Sequence, residues 1–227
     1  TYFGRNLDYD FSYGEKIVIV PRTYPFPFRN GKRLENHLAI MGVAHVDGDY
    51  PLYYDAINDA GLGMAGLNFV GNAFYHKKSK TKTNVASFEL IPYILLQAKS
   101  VKEATSLLEK IEVTDEAYSE FLPPSALHWL ISDLEESIVL EVQRDGIHIY
   151  PNPYGVLTNN PPFLEQINSL NLYYGLSSKD PENTLAPTLS KKKFYSRGLG
   201  TIGLPGDLTS SSRFVRAVFA RFHSVSP

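Results

Sequence analysis

The sequence predicts an α+β fold with antiparallel sheets, and three observations carry the prediction. Short apolar, β-branched runs recur between turn residues, as in Lys16-Ile17-Val18-Ile19-Val20-Pro21. Helical patterns are confined to a few stretches, the clearest near the end of the chain. The order is strands, two helices, strands, helices, and not the alternation of a parallel α/β sheet. At 227 residues, 43% hydrophobic and 20% charged, the chain can fill one sizeable core, and residues 1–227 are read as one domain.

Taken in order, residues 1–9 and 16–21 read as two strands with Tyr13-Gly14 between them. Residues 22–36 carry Pro25, Pro27 and Asn30-Gly31, and read as a loop. Residues 37–46, 52–57 and 62–70 read as strands; the glycines at 61, 63 and 66 imply close backbone packing or a bulge. Residues 71–87 are polar and read as loop. Residues 87–99 read as a helix with Pro92 in its first turn or at a kink. Ser100-Val101-Lys102-Glu103 is a capping box opening a second helix, and residues 111–126 read as loop. Residues 127–132 and 137–143 form a hairpin around Asp133-Leu134-Glu135-Glu136, and Arg144-Asp145-Gly146 turns into a further strand. Residues 163–172 read as a short helix. Phe214, Val215, Val218, Phe219 and Phe222 share one face of the last helix, which Ser211 or Ser212 can cap. Arg213 then stands where the helix dipole disfavours a cation, which points to another use for it or to an idle exposed side chain.

The net charge of −2 gives no electrostatic case for nucleic acid. No apolar run approaches the roughly 20 residues of a membrane span. The six histidines have no metal-ligand spacing, and no metal or cofactor is expected. His128 beside Trp129 reads as a satisfied core or rim histidine. Gly198-Leu199-Gly200-Thr201-Ile202-Gly203 matches a dinucleotide fingerprint but follows no buried strand and runs into Pro205, so it is rejected. The absence of cysteine excludes disulfides, which fits a cytoplasmic protein. With no cysteine and no serine elbow, these residues hold no obvious nucleophile. The chain opens on Thr1-Tyr2-Phe3 inside an expected strand and closes on Pro227 just after an expected helix. Both ends read as cuts within a longer protein.

The opening stretch Tyr2-Phe3-Gly4-Arg5-Asn6-Leu7-Asp8-Tyr9 sets a cation and a carboxylate three residues apart. In an extended strand Arg5 and Leu7 face one way and Asp8 the other, so Arg5 and Asp8 meet only across a bend. A surface ion pair and a polar site at a strand end both satisfy this pattern.

The same stretch resembles the segment just after the nucleophile in the choloylglycine hydrolase family. Four further segments resemble that family in the same order: Gly61-Leu62-Gly63-Met64-Ala65-Gly66-Leu67-Asn68-Phe69, Leu127-His128-Trp129, Gly155-Val156-Leu157-Thr158-Asn159-Asn160-Pro161, and Leu204-Pro205-Gly206-Asp207 with Ser212-Arg213-Phe214. The resemblance implies the four-layer αββα sandwich of N-terminal nucleophile hydrolases, here truncated at both ends. It implies a bacterial bile salt hydrolase, cleaving glycine- or taurine-conjugated bile acids through an N-terminal cysteine upstream of Thr1. The alternatives are a penicillin V acylase, or a non-catalytic binding protein on the same scaffold. By resemblance Asp8 binds the α-amino group, Arg5 contacts the thiol, the Asn159 side chain and the Asn68 backbone N–H receive the oxyanion, and Arg213 completes the network. Leu7, Tyr13, Tyr54, Tyr118 and Leu122, with Asn68 beside the leaving group, are the expected substrate-binding residues. A homotetramer is implied as well, with residues 176–196 as the assembly segment.

Overall fold

The computed structural model describes residues 2–10, 12–188 and 197–224. They fall into two compact units, Thr1–Asn159 and Asn160–Pro227.

The first unit is built on β1 (Lys16–Val20), β4 (Ile40–Asp47), β5 (Tyr50–Asn58), β6 (Gly63–Asn68), β9 (Leu127–Ser132), β10 (Ser137–Gln143) and β11 (Gly146–Pro151). They form one seven-stranded sheet in the order β1-β4-β5-β6-β9-β10-β11, and every neighbouring pair is antiparallel. Within the proline-rich excursion, β2 (Phe26–Pro27) and β3 (Arg33–Leu34) make a small antiparallel ribbon. A second small pair, β7 (Thr83–Ala86) with β8 (Ile111–Thr114), is parallel. It overturns the reading of residues 71–87 and 111–126 as loop throughout. Four-residue strands are too short to show a period, and their partner lies across two helices.

Those helices are α1 (Leu90–Leu95), entered by a 3-10 turn at Ser87–Glu89, and α2 (Val101–Leu108). Pro92 sits in the first turn of α1, where it costs no helical hydrogen bond. Ser100 accepts from the Glu103 amide as expected, while Glu103 returns to the Lys99 amide and not to that of Ser100. Leu90, Ile94 and Leu95 from α1 and Ala104 and Leu108 from α2 join Ile40, Met64, Trp129 and Leu140 from the sheet in the core.

Ile17 and Ile19 of β1, Met41 of β4 and Ile57 of β5 remain exposed. Ile19 pairs with Met41, Met41 with Ile57 and Ile57 with Gly63, so one row crosses four strands. The Phe3 ring ends this row: a Cβ on Gly63 would come within 2.9 Å of it. Residues 2–10 therefore run across the sheet. The expected strand over residues 1–9 is not formed among the described residues, and residue 1 lies outside them. Burial still alternates, with Phe3, Arg5 and Leu7 turned inward, but no backbone ladder accompanies it. The period came from packing onto a sheet, not from membership of one.

In the second unit, α3 (Phe163–Ser169) continues into a 3-10 turn at Leu170–Tyr173, and α4 (Ser210–His223) follows a 3-10 turn at Leu199–Thr201. Phe163 meets Phe214 edge-to-face at 6.4 Å. The cap of α4 is Thr209, whose hydroxyl accepts from the Ser212 amide, so neither Ser211 nor Ser212 caps it. Ser212 instead donates to Asp207 at 2.6 Å. The rejected glycine fingerprint is this 3-10 turn, flanked by Gly198 and Gly203 at positive φ. Of the expected assembly segment, residues 176–188 carry no helix or strand, and residues 189–196 lie outside the described residues.

Candidate active site

Arg5 is held by a defect in the main sheet. Between Val43 and Ala44 the β4 partner changes from Asp55 to Tyr53, so Tyr54 is an extra residue on β5. A bulge of this kind takes a carbonyl out of the ladder and bends the strand. Arg5 Nη1 donates to the Tyr54 carbonyl at 3.2 Å and lies 3.6 Å from Asp55 Oδ2. Gly42 makes room for the bulge: a Cβ there would stand 2.0 Å from the Asp55 carbonyl oxygen. Both Arg5 and Asp55 are 17% exposed at the side chain. Burial pushes the guanidinium down from its ordinary value, opposed by Asp55, and pushes the Asp55 carboxyl up, opposed by Arg5. The buried Arg5 Nε has no hydrogen-bond partner among the described residues. One strong donor thus remains unused beside the charge pair.

Asp8 is not the partner of Arg5. It lies on the opposite parity, exposed, with no hydrogen bond or ion pair among the described residues. Of the two sequence readings, the surface pair is absent, and Arg5 finds its carboxylate on β5.

Asn68 and Asn159 do come together. Asn159 Nδ2 donates to the Asn68 carbonyl at 3.2 Å. Asn68 ends β6, where it pairs with Leu127 of β9, and the next amide, Phe69 N–H, donates to the Ala126 carbonyl at 2.8 Å. The backbone that carries Asn68 is thus fixed on both sides of it. A carboxamide nitrogen carries two hydrogens, and Asn159 gives one of them to the Asn68 carbonyl.

Behind this pair lies His128, fully buried. It contacts Glu141 Oε1 at 3.1 Å through Nδ1 and the Thr158 carbonyl at 2.7 Å through Nε2. Its ring stacks on Phe69 at 4.4 Å. The reading of His128 as a satisfied core histidine holds.

The expected substrate residues divide into two groups. Tyr13 and Tyr54 both touch Tyr9, at 5.4 and 5.9 Å, beside Arg5, with Leu7 half-buried in the same segment. Burial first, then Tyr9, Glu15 and Tyr13, pushes the Tyr54 phenol up to about 12, so it stays a neutral donor near pH 7. Tyr118 and Leu122 share a tight loop in which the Tyr118 amide donates to the Leu122 carbonyl at 3.1 Å. Tyr118 packs on Tyr50 and Phe88, with the Arg29 guanidinium 5.2 Å from its ring. In the second unit, Arg213 stands in the first turns of α4, exposed, and its Nε donates to the Leu208 carbonyl at 3.1 Å. No group of three or more His, Asp or Glu able to hold a metal occurs among the described residues, and none of their helices is long and apolar enough to cross a membrane. A surface depression of about 470 Å³ on α2, lined by Gln97, Ser100, Lys102, Glu103, Ser106 and Leu107, contains none of the candidates.

Sequence reasoning missed Asp55, the bulge at Tyr54 and Glu141. Gly42 within an apolar strand was the available signal for the bulge. Nothing local marks a carboxylate that finds its partner 50 residues away in the chain.

The first unit thus combines a main antiparallel sheet with two asparagines joined at the end of one strand. The model of the linear amide C–N hydrolases, choloylglycine hydrolase family, matches residues 1–227. The chain belongs to that family and is an amide C–N hydrolase. It is 49% identical over 226 residues to a bile salt hydrolase/transferase of Lactiplantibacillus plantarum, covering 100% of this chain and 69% of the relative. It is 36% identical to a bile salt hydrolase/transferase of Clostridium perfringens, covering 96% of this chain and 67% of the relative. A solved arginine-to-leucine variant of the conjugated bile acid hydrolase from Clostridium perfringens superposes with a TM-score of 0.87 at 34% identity, over 96% of this chain and 67% of that one. The penicillin V acylase of Agrobacterium tumefaciens shares the fold, with a TM-score of 0.69 at 23% identity, over 95% of this chain and 59% of that one. The α+β expectation, in its N-terminal nucleophile form, is met.

Proposed function

We propose that this protein hydrolyses the amide bond joining a bile acid to glycine or taurine. The observation that carries the reading is the hydrogen bond from Asn159 Nδ2 to the Asn68 carbonyl, which brings the Asn159 carboxamide to the end of β6 that also carries the Asn68 N–H. Amide donors in that arrangement suit the oxyanion of acyl transfer. Support for the substrate comes from the names of the relatives in Lactiplantibacillus plantarum and Clostridium perfringens.

The nucleophile in this reading is the N-terminal cysteine that the family resemblance implies; residues 1–227 contain no cysteine. Its thiol proton passes to its own α-amino group, whose ordinary pKa of roughly 7.7–8.0 suits a base near neutral pH. The sulfur attacks the carbonyl carbon, and the oxygen takes the electron pair beside Asn159 and the Asn68 amide. On collapse the C–N bond breaks, and the ammonium returns its proton to the leaving amine. Water, deprotonated by the same amine, then releases the bile acid from the thioester. Arg5, through its unused Nε, favours the thiolate, and Asp8 holds the ammonium. Leu7, Tyr13, Tyr54, Tyr118 and Leu122 line the steroid site, and the Asn68 side chain faces the leaving group. Arg213 is the remaining polar candidate. The protein is further proposed to be a bacterial, cytoplasmic homotetramer, with residues 1–227 belonging to one catalytic domain.

The test is Asn159→Ala in the full-length natural protein. Loss of one oxyanion donor lowers kcat about 10²–10³-fold. A kcat within threefold of wild type refutes this placement of the oxyanion.

A further inference from the structure

We infer that His128 is a positioning residue for the reaction: it holds the Thr158 carbonyl and thereby aims the Asn159 amide. The inference rests on the oxyanion role proposed for Asn159.

A carbonyl oxygen only accepts, so His128 Nε2 carries the hydrogen in the 2.7 Å contact with Thr158. Nδ1 shares a proton with Glu141 Oε1 at 3.1 Å. Glu141 Oε2 is itself held by the Gln143 amide at 3.0 Å. Both the histidine and the glutamate are 0% exposed. The pair is built by the sheet: the β9–β10 register ends at Leu140 opposite Trp129, which sets His128 and Glu141 next in line. On the other side β6 pairs Leu67 with His128, one residue before Asn68. Phe69 lies parallel to the imidazole, with an angle of 8° between the rings.

The result is a chain of fixed contacts from Gln143 through Glu141 and His128 to the Thr158 carbonyl. The Thr158–Asn159 peptide is the backbone on which the Asn159 amide turns. A side-chain partner on one imidazole nitrogen that fixes how the ring is oriented is familiar from metal and catalytic histidines; here the group held by the other nitrogen is a carbonyl. A buried His128–Glu141 contact that served stability alone would not need to end on the peptide beside Asn159.

The two amide replacements of histidine separate the contacts. The glutamine amide reaches the position of Nε2, while the shorter asparagine amide reaches only that of Nδ1. In the full-length protein, His128→Gln should keep the Thr158 contact and retain kcat within about threefold. His128→Asn should keep the Glu141 contact but remove the His128 contact to the Thr158 carbonyl. A misplacement of about 1 Å at a reacting group costs on the order of 10²-fold, so kcat should fall about 10–100-fold with KM little changed. Because His128 acts through Asn159, the His128→Asn, Asn159→Ala double variant should be no slower than Asn159→Ala alone. Equal kcat for the glutamine and asparagine variants, or additive losses in the double variant, overturns the inference. If Asn159→Ala alone keeps its kcat, the oxyanion reading has failed instead. Should His128→Asn not fold, Phe69→Leu replaces it: a severalfold fall in kcat that disappears in the Asn159→Ala background is expected, and a fall that persists there overturns the inference.

Discussion

Gly42→Ala is a sharp test of the bulge that holds Arg5. Alanine in place of glycine in a strand ordinarily stabilises by about 0.5–1 kcal/mol, because it removes disorder from the unfolded chain. Here the added Cβ would stand 2.0 Å from the Asp55 carbonyl oxygen and 2.6 Å from Ala56 Cα. Two of the atoms it meets are backbone, so no rotamer change relieves it. Forcing an extra carbon into a packed region costs typically 1–3 kcal/mol. The clash outweighs the entropic gain, and a net loss of about 1–2 kcal/mol follows. At roughly 2–4 °C per kcal/mol, Tm should fall by about 2–8 °C. The strand must also shift just where Tyr54 and Asp55 hold Arg5, so kcat should fall with it. Differential scanning calorimetry and steady-state kinetics on one preparation read both effects. An unchanged or raised Tm with wild-type kcat would mean that β4 and β5 do not approach as described, and the bulge argument would fail.

Further outcomes follow from the charged groups. Burial raises the Asp55 carboxyl, so the folded state binds more protons than the unfolded one above the ordinary carboxyl range, and this group's effect is to lower stability as pH rises through its folded pKa. Asp55→Asn should flatten that part of the Tm-against-pH curve; an unaltered curve contradicts the assignment. Burial pushes Asp133 up, but the amides of Val101, Glu136 and Glu135 outweigh it and hold the carboxyl below its ordinary range. Its contribution is therefore full above about pH 4 and is lost as pH falls through the folded pKa. The Val101 contact, at 2.8 Å, ties the first turn of α2. Asp133→Ala should cost about 1 kcal/mol at pH 7 by urea unfolding, with the deficit shrinking in acid.

The sequence made the regular elements legible where a period or a turn was strong. The 127–132 and 137–143 hairpin, the Ser100 cap and the α4 helix are all formed, with Phe214 and Val215 buried and Phe222 exposed. The opening stretch misled because alternate burial arises equally from a strand and from an extended segment lying across a sheet. β7 and β8 were missed because parallel pairing is non-local and each strand has only four residues. Thr209 took the α4 cap from its serine neighbours because the helix begins one residue before the first of them considered. At the site, the motif residues Arg5, Asn68 and Asn159 were legible by resemblance. The groups that hold them were not: Asp55 and Glu141 acquire meaning only from strand register and a bulge.

The most direct test of the central claim is a comparison of kcat/KM for glycine- and taurine-conjugated bile acids with that for penicillin V, using the full-length natural protein. In the proposed reading the Asn68 side-chain amide hydrogen-bonds the carboxylate or sulfonate of the leaving group. The account predicts faster hydrolysis of the conjugated bile acids. A clear preference for penicillin V, or no release of glycine or taurine, would contradict it.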